Sequence, residues 1–337
     1  MESIYFLGID MAKKSFQAAL TMDGMVMYEL QVKNEPGEIK AFFAQLKSKL
    51  GFSVSQLIVC MEHTGIYCLP LLDYLFKAGI KVAVEPALQI KLSQGITRGK
   101  TDEIDAKRIA EYAFKNRQKL RFWKPQRIVI QKLKALLVAR ERLVRVRMQV
   151  KTPLKESEEY IEESIRKLVS KNCHNTLTAL EKDIAKMDKA IDLLIKEDAQ
   201  VSDQMQWATS VPGVGKITAL NVIICTGELE RISDPKKFAT YSGVAPFRHS
   251  SGTSIRGKTR VSKLANMTMK TLLHLAAMSS INCRRGEDLK LFYQRKVAEG
   301  KNKMSVLNAV RNKLITRIFV CIKNKRMYEK DYHHALV

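Results

Sequence analysis

The sequence predicts an α/β domain followed by a helical, strongly basic remainder. Three observations lead there. Strand and helix periodicities alternate through the front of the chain, amphipathic helical patterns take over after Pro125, and the formal charge of +24 lies entirely beyond Tyr112. Residues 1–112 hold thirteen basic and thirteen acidic side chains, so the front is neutral and the rest carries the whole excess.

The first elements read as a three-stranded antiparallel meander. Ile4 to Ile9 is apolar, Phe16 to Thr21 follows, and Asp23-Gly24 turns the chain into Val26 to Val32. After Pro36-Gly37, apolar residues Ile39, Phe42, Phe43, Leu46 and Leu50 recur at helical spacing. Leu57 to Met61 then forms a short buried strand, Leu69 to Lys77 a helix, and Ile80 to Val84 another strand. A loop through Gly95 and Gly99 leads to a helix from Asp102 to Lys115, for which Thr101 is a natural N-cap. Alternation of this kind gives a mixed sheet flanked by helices.

Between Ala113 and Val150 twelve basic residues face the single acid Glu141, interleaved with Ile130, Leu133, Leu136, Leu137, Leu143 and Val144. This is a long basic amphipathic helix. Leu177, Leu180, Ile184, Met187, Ile191 and Leu194 step alternately by three and four, as in a heptad seam. An antiparallel coiled-coil hairpin and a core stripe in a compact bundle both satisfy that pattern. The tail from Ser210 is mainly helical. The expected segments are 1–125 for the α/β domain, 126–205 for the coiled-coil or helical segment, and 206–337 for the C-terminal domain.

Several function classes are excluded. Apolar stretches such as Leu57–Met61 and Ile318–Ile322 fall far short of the roughly 20 residues that cross a bilayer. The N-terminus reads as a first strand, not a signal peptide, so a cytoplasmic location and no membrane partner are expected. The six cysteines are scattered without a C-x-x-C pair, which argues against a zinc ribbon or a disulfide framework. A neutral module followed by basic segments suits a protein that grips a polyanion.

Four carboxylates stand out. Asp10 and Glu62 close two predicted strands, and Asp102 and Asp105 share one face of the first turn of a helix. Gathered together they would repel unless cations lay between them, and Mg²⁺, or alternatively Mn²⁺, takes oxygen ligands of this kind. Two such ions clamp the attacking and leaving oxygens of a phosphodiester. Taken singly, each acid also fits a turn or a helix cap.

Two further segments bear on nucleic acid. Val211-Pro212-Gly213-Val214-Gly215-Lys216 fits a helix-hairpin-helix turn in which Gly213 and Gly215 admit a phosphate to backbone N–H groups beside Lys216. An ordinary interhelical turn is the alternative. Arg248-His249-Ser250-Ser251-Gly252-Thr253-Ser254-Ile255-Arg256-Gly257-Lys258-Thr259-Arg260 combines hydroxyls with Arg248, Arg256, Lys258 and Arg260 and contains no acid. Composition alone leaves two readings open, noncovalent phosphate binding or a serine nucleophile.

Five motifs in order, Gly8-Ile9-Asp10, Glu62-His63-Thr64-Gly65, Lys100-Thr101-Asp102-Glu103-Ile104-Asp105-Ala106, Val211-Pro212-Gly213-Val214-Gly215 and Ser250-Ser251-Gly252-Thr253-Ser254-Ile255-Arg256-Gly257, resemble those of the DEDD-type insertion-sequence transposases, the IS-one-ten family, which includes Piv-like DNA invertases. The resemblance runs from Tyr5 to beyond Ile315. It implies a RuvC-like domain of RNase H fold bearing Asp10, Glu62, Asp102 and Asp105 as metal ligands, a coiled-coil segment, and a C-terminal transposase domain. Ser251 takes the position of the family's nucleophilic serine, and Ser254, at the position of the second serine, is the alternative nucleophile. Donor and target DNA, a noncoding guide RNA, and assembly as homodimers or homotetramers are implied with it. The rival expectation is a RuvC-like, metal-dependent Holliday-junction nuclease with no covalent intermediate.

Overall fold

The computed structural model describes residues 4–95, 101–156, 160–251, 255–262 and 264–329. The chain divides into two compact units, Met1–Pro125 and Gln126–Val337.

In the first unit β1 (Tyr5–Met11), β2 (Ser15–Met22) and β3 (Met25–Lys33) form the expected meander. Helix α1 (Pro36–Leu50) leads to β4 (Leu57–Glu62), α2 (Leu69–Lys77) to β5 (Lys81–Glu85), and α3 (Ala87–Leu92) and α4 (Asp102–Lys115) follow. The sheet order is β3-β2-β1-β4-β5, with β1 to β3 antiparallel and β4 and β5 parallel to β1. Both crossovers have apolar helices to cover the sheet, as parallel strands require. This is the RNase H-like arrangement that the motif resemblance implies.

Alternation along the strands separates two cores. Leu7, Ile9, Val59, Met61 and Val82 pack under Phe42, Leu46, Leu71 and Leu75 of α1 and α2. Phe6, Ile58, Cys60 and Ala83 face Ile90 of α3 and Ile109, Tyr112 and Ala113 of α4. Period-two geometry therefore turns Asp10, Glu62 and Glu85 to the α4 face. Helix α3 was not expected from the sequence. It begins directly after Pro86 and buries only Ile90, too short a segment to show helical periodicity.

The second unit begins with α5 (Ile128–Glu156) and α6 (Glu163–Glu197). Arg127 meets Asp198 at 2.6 Å, Arg140 meets Asp188 at 2.6 Å and Arg147 meets Glu181 at 3.9 Å, so the two helices run antiparallel. The predicted seam residues Ile184 and Ile191 are buried, and Leu177, Leu180, Met187 and Leu194 are half-buried. At the base, Ile130, Leu133, Leu137, Ile191 and Ile195 enter the core of the unit. That core is completed by α7 (Ala199–Ser210), α8 (Lys216–Thr226), α9 (Pro235–Tyr241), α10 (Met267–Asn282), α11 (Glu287–Ala298) and α12 (Lys303–Lys323). A hairpin of β6 (Pro246–Ser251) and β7 (Ile255–Val261) separates α9 from α10.

The turn between α6 and α7 is held by Asp198. Its carboxylate accepts from Val201 N–H at 2.9 Å, capping α7, and from Arg127 Nη2 at 2.6 Å. Burial alone would raise the Asp198 pKa, but the Val201 N–H and the Arg127 guanidinium outweigh it and hold the carboxyl below its ordinary value. Asp198→Ala is expected to lower stability at neutral pH by about 1 kcal/mol, the worth of a helix cap. Because the folded-state pKa is depressed, that contribution is present above the unfolded value and lost as pH falls through the folded one. Urea unfolding at neutral pH and in acid checks both halves, since the gap between wild type and variant must close in acid.

Candidate active site

The acids of the first unit are placed by one close contact between β1 and α4. A Cβ on Gly8 would lie 2.2 Å from the Ala106 carbonyl oxygen and 2.3 Å from the Ala110 nitrogen. Only glycine lets the helix backbone sit that near the strand, and Ala106 and Ala110 are themselves fully buried. Phe6 meets Phe114 edge to face, with ring centroids 5.6 Å apart. As β1 passes from Phe6 to Gly8, its partners on α4 therefore pass from Phe114 back to Ala110 and Ala106. Two residues on, Asp10 comes level with the first turn of α4, which carries Asp102 and Asp105.

Glu62 stands beside Asp10, because β1 and β4 are parallel neighbours in the register Ile9↔Met61. Asp10 and Glu62 are half-buried, as is Asp105, and Asp102 is exposed. Thr101 caps α4 by accepting from Ile104 N–H at 3.3 Å, so the helix starts where the motif predicts. Its free N–H groups and macrodipole favour acids in that turn. Asp105 accepts from Arg108 Nη1 at 3.1 Å.

A fifth acid completes the row. Glu85 ends β5 in register with Glu62, and His63 N–H donates to the Glu85 carbonyl at 3.2 Å. Its side chain is buried, which pushes its pKa up, while the Arg121 guanidinium acts in the opposite direction. The signal for Glu85 in the sequence is Val84-Glu85-Pro86, which ends a strand on an acid as Met61-Glu62 does. Beneath the row, burial and the Glu85 charge push the Cys60 thiol up to about 12, which leaves it inert.

The donor set is all oxygen and suits a hard divalent cation. Among the described residues, no three His, Cys, Asp or Glu side chains are gathered closely enough to hold a metal ion. The backbone thus brings Asp10, Glu62, Asp102 and Asp105 to one end of one sheet face, and the side chains are not drawn together as a ligand shell.

In the second unit the glycine turn separates α7 from α8. Gly213 has φ +85°, and a Cβ there would strike the Ala276 carbonyl oxygen and Ser280 of α10, each at 2.6 Å. Packing alone therefore requires that glycine. Gly215 is the N-cap of α8 with open space beside it, and Lys216 Nζ lies 2.5 Å from Asp192 of α6. The serine segment forms the β6–β7 hairpin. Ser251 is the last residue of β6 and pairs with Ile255, and Ser250 pairs with Arg256. Arg248, Lys258 and Arg260 take their places along the same two strands. Gly252, Thr253 and Ser254 lie outside the described residues, as do Gly99 and Lys100. No helix among the described residues is long and apolar enough to cross a membrane.

Comparison with known proteins gives this architecture its class. Residues 7–157 match a family model described as a DEDD transposase of IS110 type, and residues 205–294 match the transposase model of the IS116/IS110/IS902 family. The chain is 26% identical over 332 residues to a pilin gene-inverting protein of Moraxella lacunata, covering 97% of this chain and 98% of the relative. It is 25% identical over 353 residues to the transposase for insertion sequence element IS1111A of Coxiella burnetii, covering 97% and 92%. RuvC from T. thermophilus in complex with a Holliday junction substrate is 15% identical with a TM-score of 0.28, covering 36% of this chain and 99% of that one.

The family models and the two relatives define a DNA-cleaving and rejoining enzyme. The chain belongs to the IS110 family of insertion-sequence transposases and recombinases.

Proposed function

We propose that this transposase cuts DNA through Ser251, with Mg²⁺ held by Asp10, Glu62, Asp102 and Asp105, under the guidance of a structured RNA. The observation that carries the serine assignment is its setting. Ser251 ends a strand in a hairpin whose surroundings, from Gly243 to Lys270, contain no acidic residue. The segment offers a phosphodiester basic and hydroxyl-bearing residues with no acid to repel it.

In this reading the Ser251 oxygen bonds to phosphorus as the bond from phosphorus to the leaving strand breaks. The serine proton is given up and the departing strand oxygen gains one. Attack by a different strand end on the phosphoserine then restores the serine hydroxyl, so strands are exchanged without net hydrolysis. Bound Mg²⁺ would supply Lewis-acid stabilisation of the reacting oxygens. Arg248, Arg256, Lys258 and Arg260 supply positive charge along the hairpin for the DNA backbone.

RNA guidance and self-association rest on other surfaces. Lys132, Lys134, Arg142 and Arg145 are exposed along α5, a row suited to a phosphate backbone. Near the tip of the α5–α6 pair, Tyr160, Ile165 and Leu168 are more than half exposed, which suits a second copy and a dimeric or tetrameric assembly.

The test is a denaturing gel of the full chain incubated with Mg²⁺, guide RNA and labelled DNA. Wild type is expected to give a covalent protein–DNA adduct and Ser251→Ala none. An adduct retained by Ser251→Ala sinks the assignment. Hydrolysed ends without any adduct in wild type point instead to a junction nuclease with water as nucleophile.

A further inference from the structure

Arg311 of α12 is 6% exposed, yet no acid among the described residues pairs with it. Its partners are neutral. Nη1 donates to Asn308 Oδ1 at 3.3 Å, Nη2 donates to His274 Nδ1 at 2.7 Å, and Nε is buried with no hydrogen-bond partner. A guanidinium has only donors, so His274 Nδ1 accepts and the remaining proton of that ring sits on Nε2. Burial and the Arg311 charge both push the His274 pKa down, which keeps the ring neutral.

A second cation stands on the same face. Lys270 lies one turn before His274 on α10, and its Cδ is 3.4 Å from where a Gly243 Cβ would be. Lys270 also makes no ion pair among the described residues. The cluster is tied to the serine hairpin at its foot, because Asn308 Nδ2 donates to the Val244 carbonyl at 2.7 Å, two residues before β6 begins. Buried charge without a counterion is costly, and every free group here is a donor.

We propose that Lys270, His274 and Arg311 form a binding site for a phosphate group of the nucleic-acid backbone at the foot of the serine hairpin. Arg311 forms the floor, and the half-buried Lys270 and His274 form the mouth. The six residues of β6 separate this site from Ser251 by roughly 20 Å at 3.3 Å per residue. That is about six nucleotides of B-form strand at 3.4 Å each. The site therefore grips flanking DNA and positions it, and takes no part in bond breaking. It rests on the reading of the hairpin as the DNA-cutting segment.

The test is equilibrium binding of the full chain to a DNA duplex, with EDTA present, across a salt series. Arg311→Met and Lys270→Gln are each expected to weaken binding by roughly fivefold to tenfold and to flatten the salt slope by about one counterion. Arg311→Lys, which keeps the charge, is expected to keep most of the slope. Arg311→Met should also melt no lower than wild type, because an unpaired buried charge has been removed. Unchanged slopes in both neutral variants overturn the site, and so does inorganic phosphate raising the wild-type Tm while both slopes stay unchanged. An Arg311→Met protein that melts earlier with a wild-type slope assigns Arg311 a purely structural role and overturns the proposal. Should Arg311→Met fail to fold, the Lys270→Gln slope decides alone. With no metal present and no cleavage read, a flattened slope stands even if no Ser251 adduct forms, and an adduct stands even if the slopes do not move.

Discussion

Asp10→Asn is expected to abolish DNA strand cleavage while leaving the protein folded and able to bind DNA. Asn keeps the shape of the side chain and removes its charge at the point where β1, β4 and the first turn of α4 meet. Losing one preorganised electrostatic contact at a reacting phosphate costs about 10²–10³-fold in rate, which sets the minimum loss if Asp10 holds a metal as proposed. Mg²⁺ should raise the wild-type Tm and leave the variant unmoved, since only a competent site gains stability by mass action. Chelation with EDTA should reproduce the loss in wild type, and added Mg²⁺ should reverse it. An Asp10→Asn protein cutting at the wild-type rate removes the acids from the mechanism.

Gly8→Ala should be nearly as damaging without touching a single carboxylate. The added methyl would lie 2.2 Å from a backbone oxygen and 2.3 Å from a backbone nitrogen of α4, neither of which can rotate away. The helix must lift or slide. Overpacking of a close-packed core costs about 1–3 kcal/mol, and contact with backbone belongs at the top of that range. Asp102 and Asp105 ride on the displaced helix, and misplacement by about 1 Å costs on the order of 10²-fold in rate. Thermal unfolding and cleavage measured together check the claim. A Gly8→Ala protein with wild-type stability would show that α4 does not depend on this contact.

The strands, the covering helices and the strand ends that carry Asp10 and Glu62 were legible because burial writes apolar periodicity into neighbouring residues. Thr101 was legible as a cap because its role is settled within four residues. Gly8 was not. It appears in the motif Gly8-Ile9-Asp10, but what demands it is a helix backbone about a hundred residues further on. Glu85 was missed for a related reason, since its place beside Glu62 follows from strand order. Nothing in the sequence singles out Arg311, because its burial without an acidic partner is a tertiary fact. The β6–β7 hairpin leaves no such trace, since Ser, Thr, Gly and Arg in sequence do not alternate by polarity as half-buried strands do.

The α5–α6 pair has its apolar base rooted among the helices of its unit, through Ile130, Leu133, Leu137, Ile191 and Ile195. Past that base it is an arm whose two helices hold chiefly each other. Its reach is therefore a free variable. One added heptad on each helix would extend the tip by roughly 10 Å at 1.5 Å per residue and would alter no buried residue at the root. The distance this protein spans to whatever meets the tip can thus change in whole turns while the cutting chemistry stays as it is.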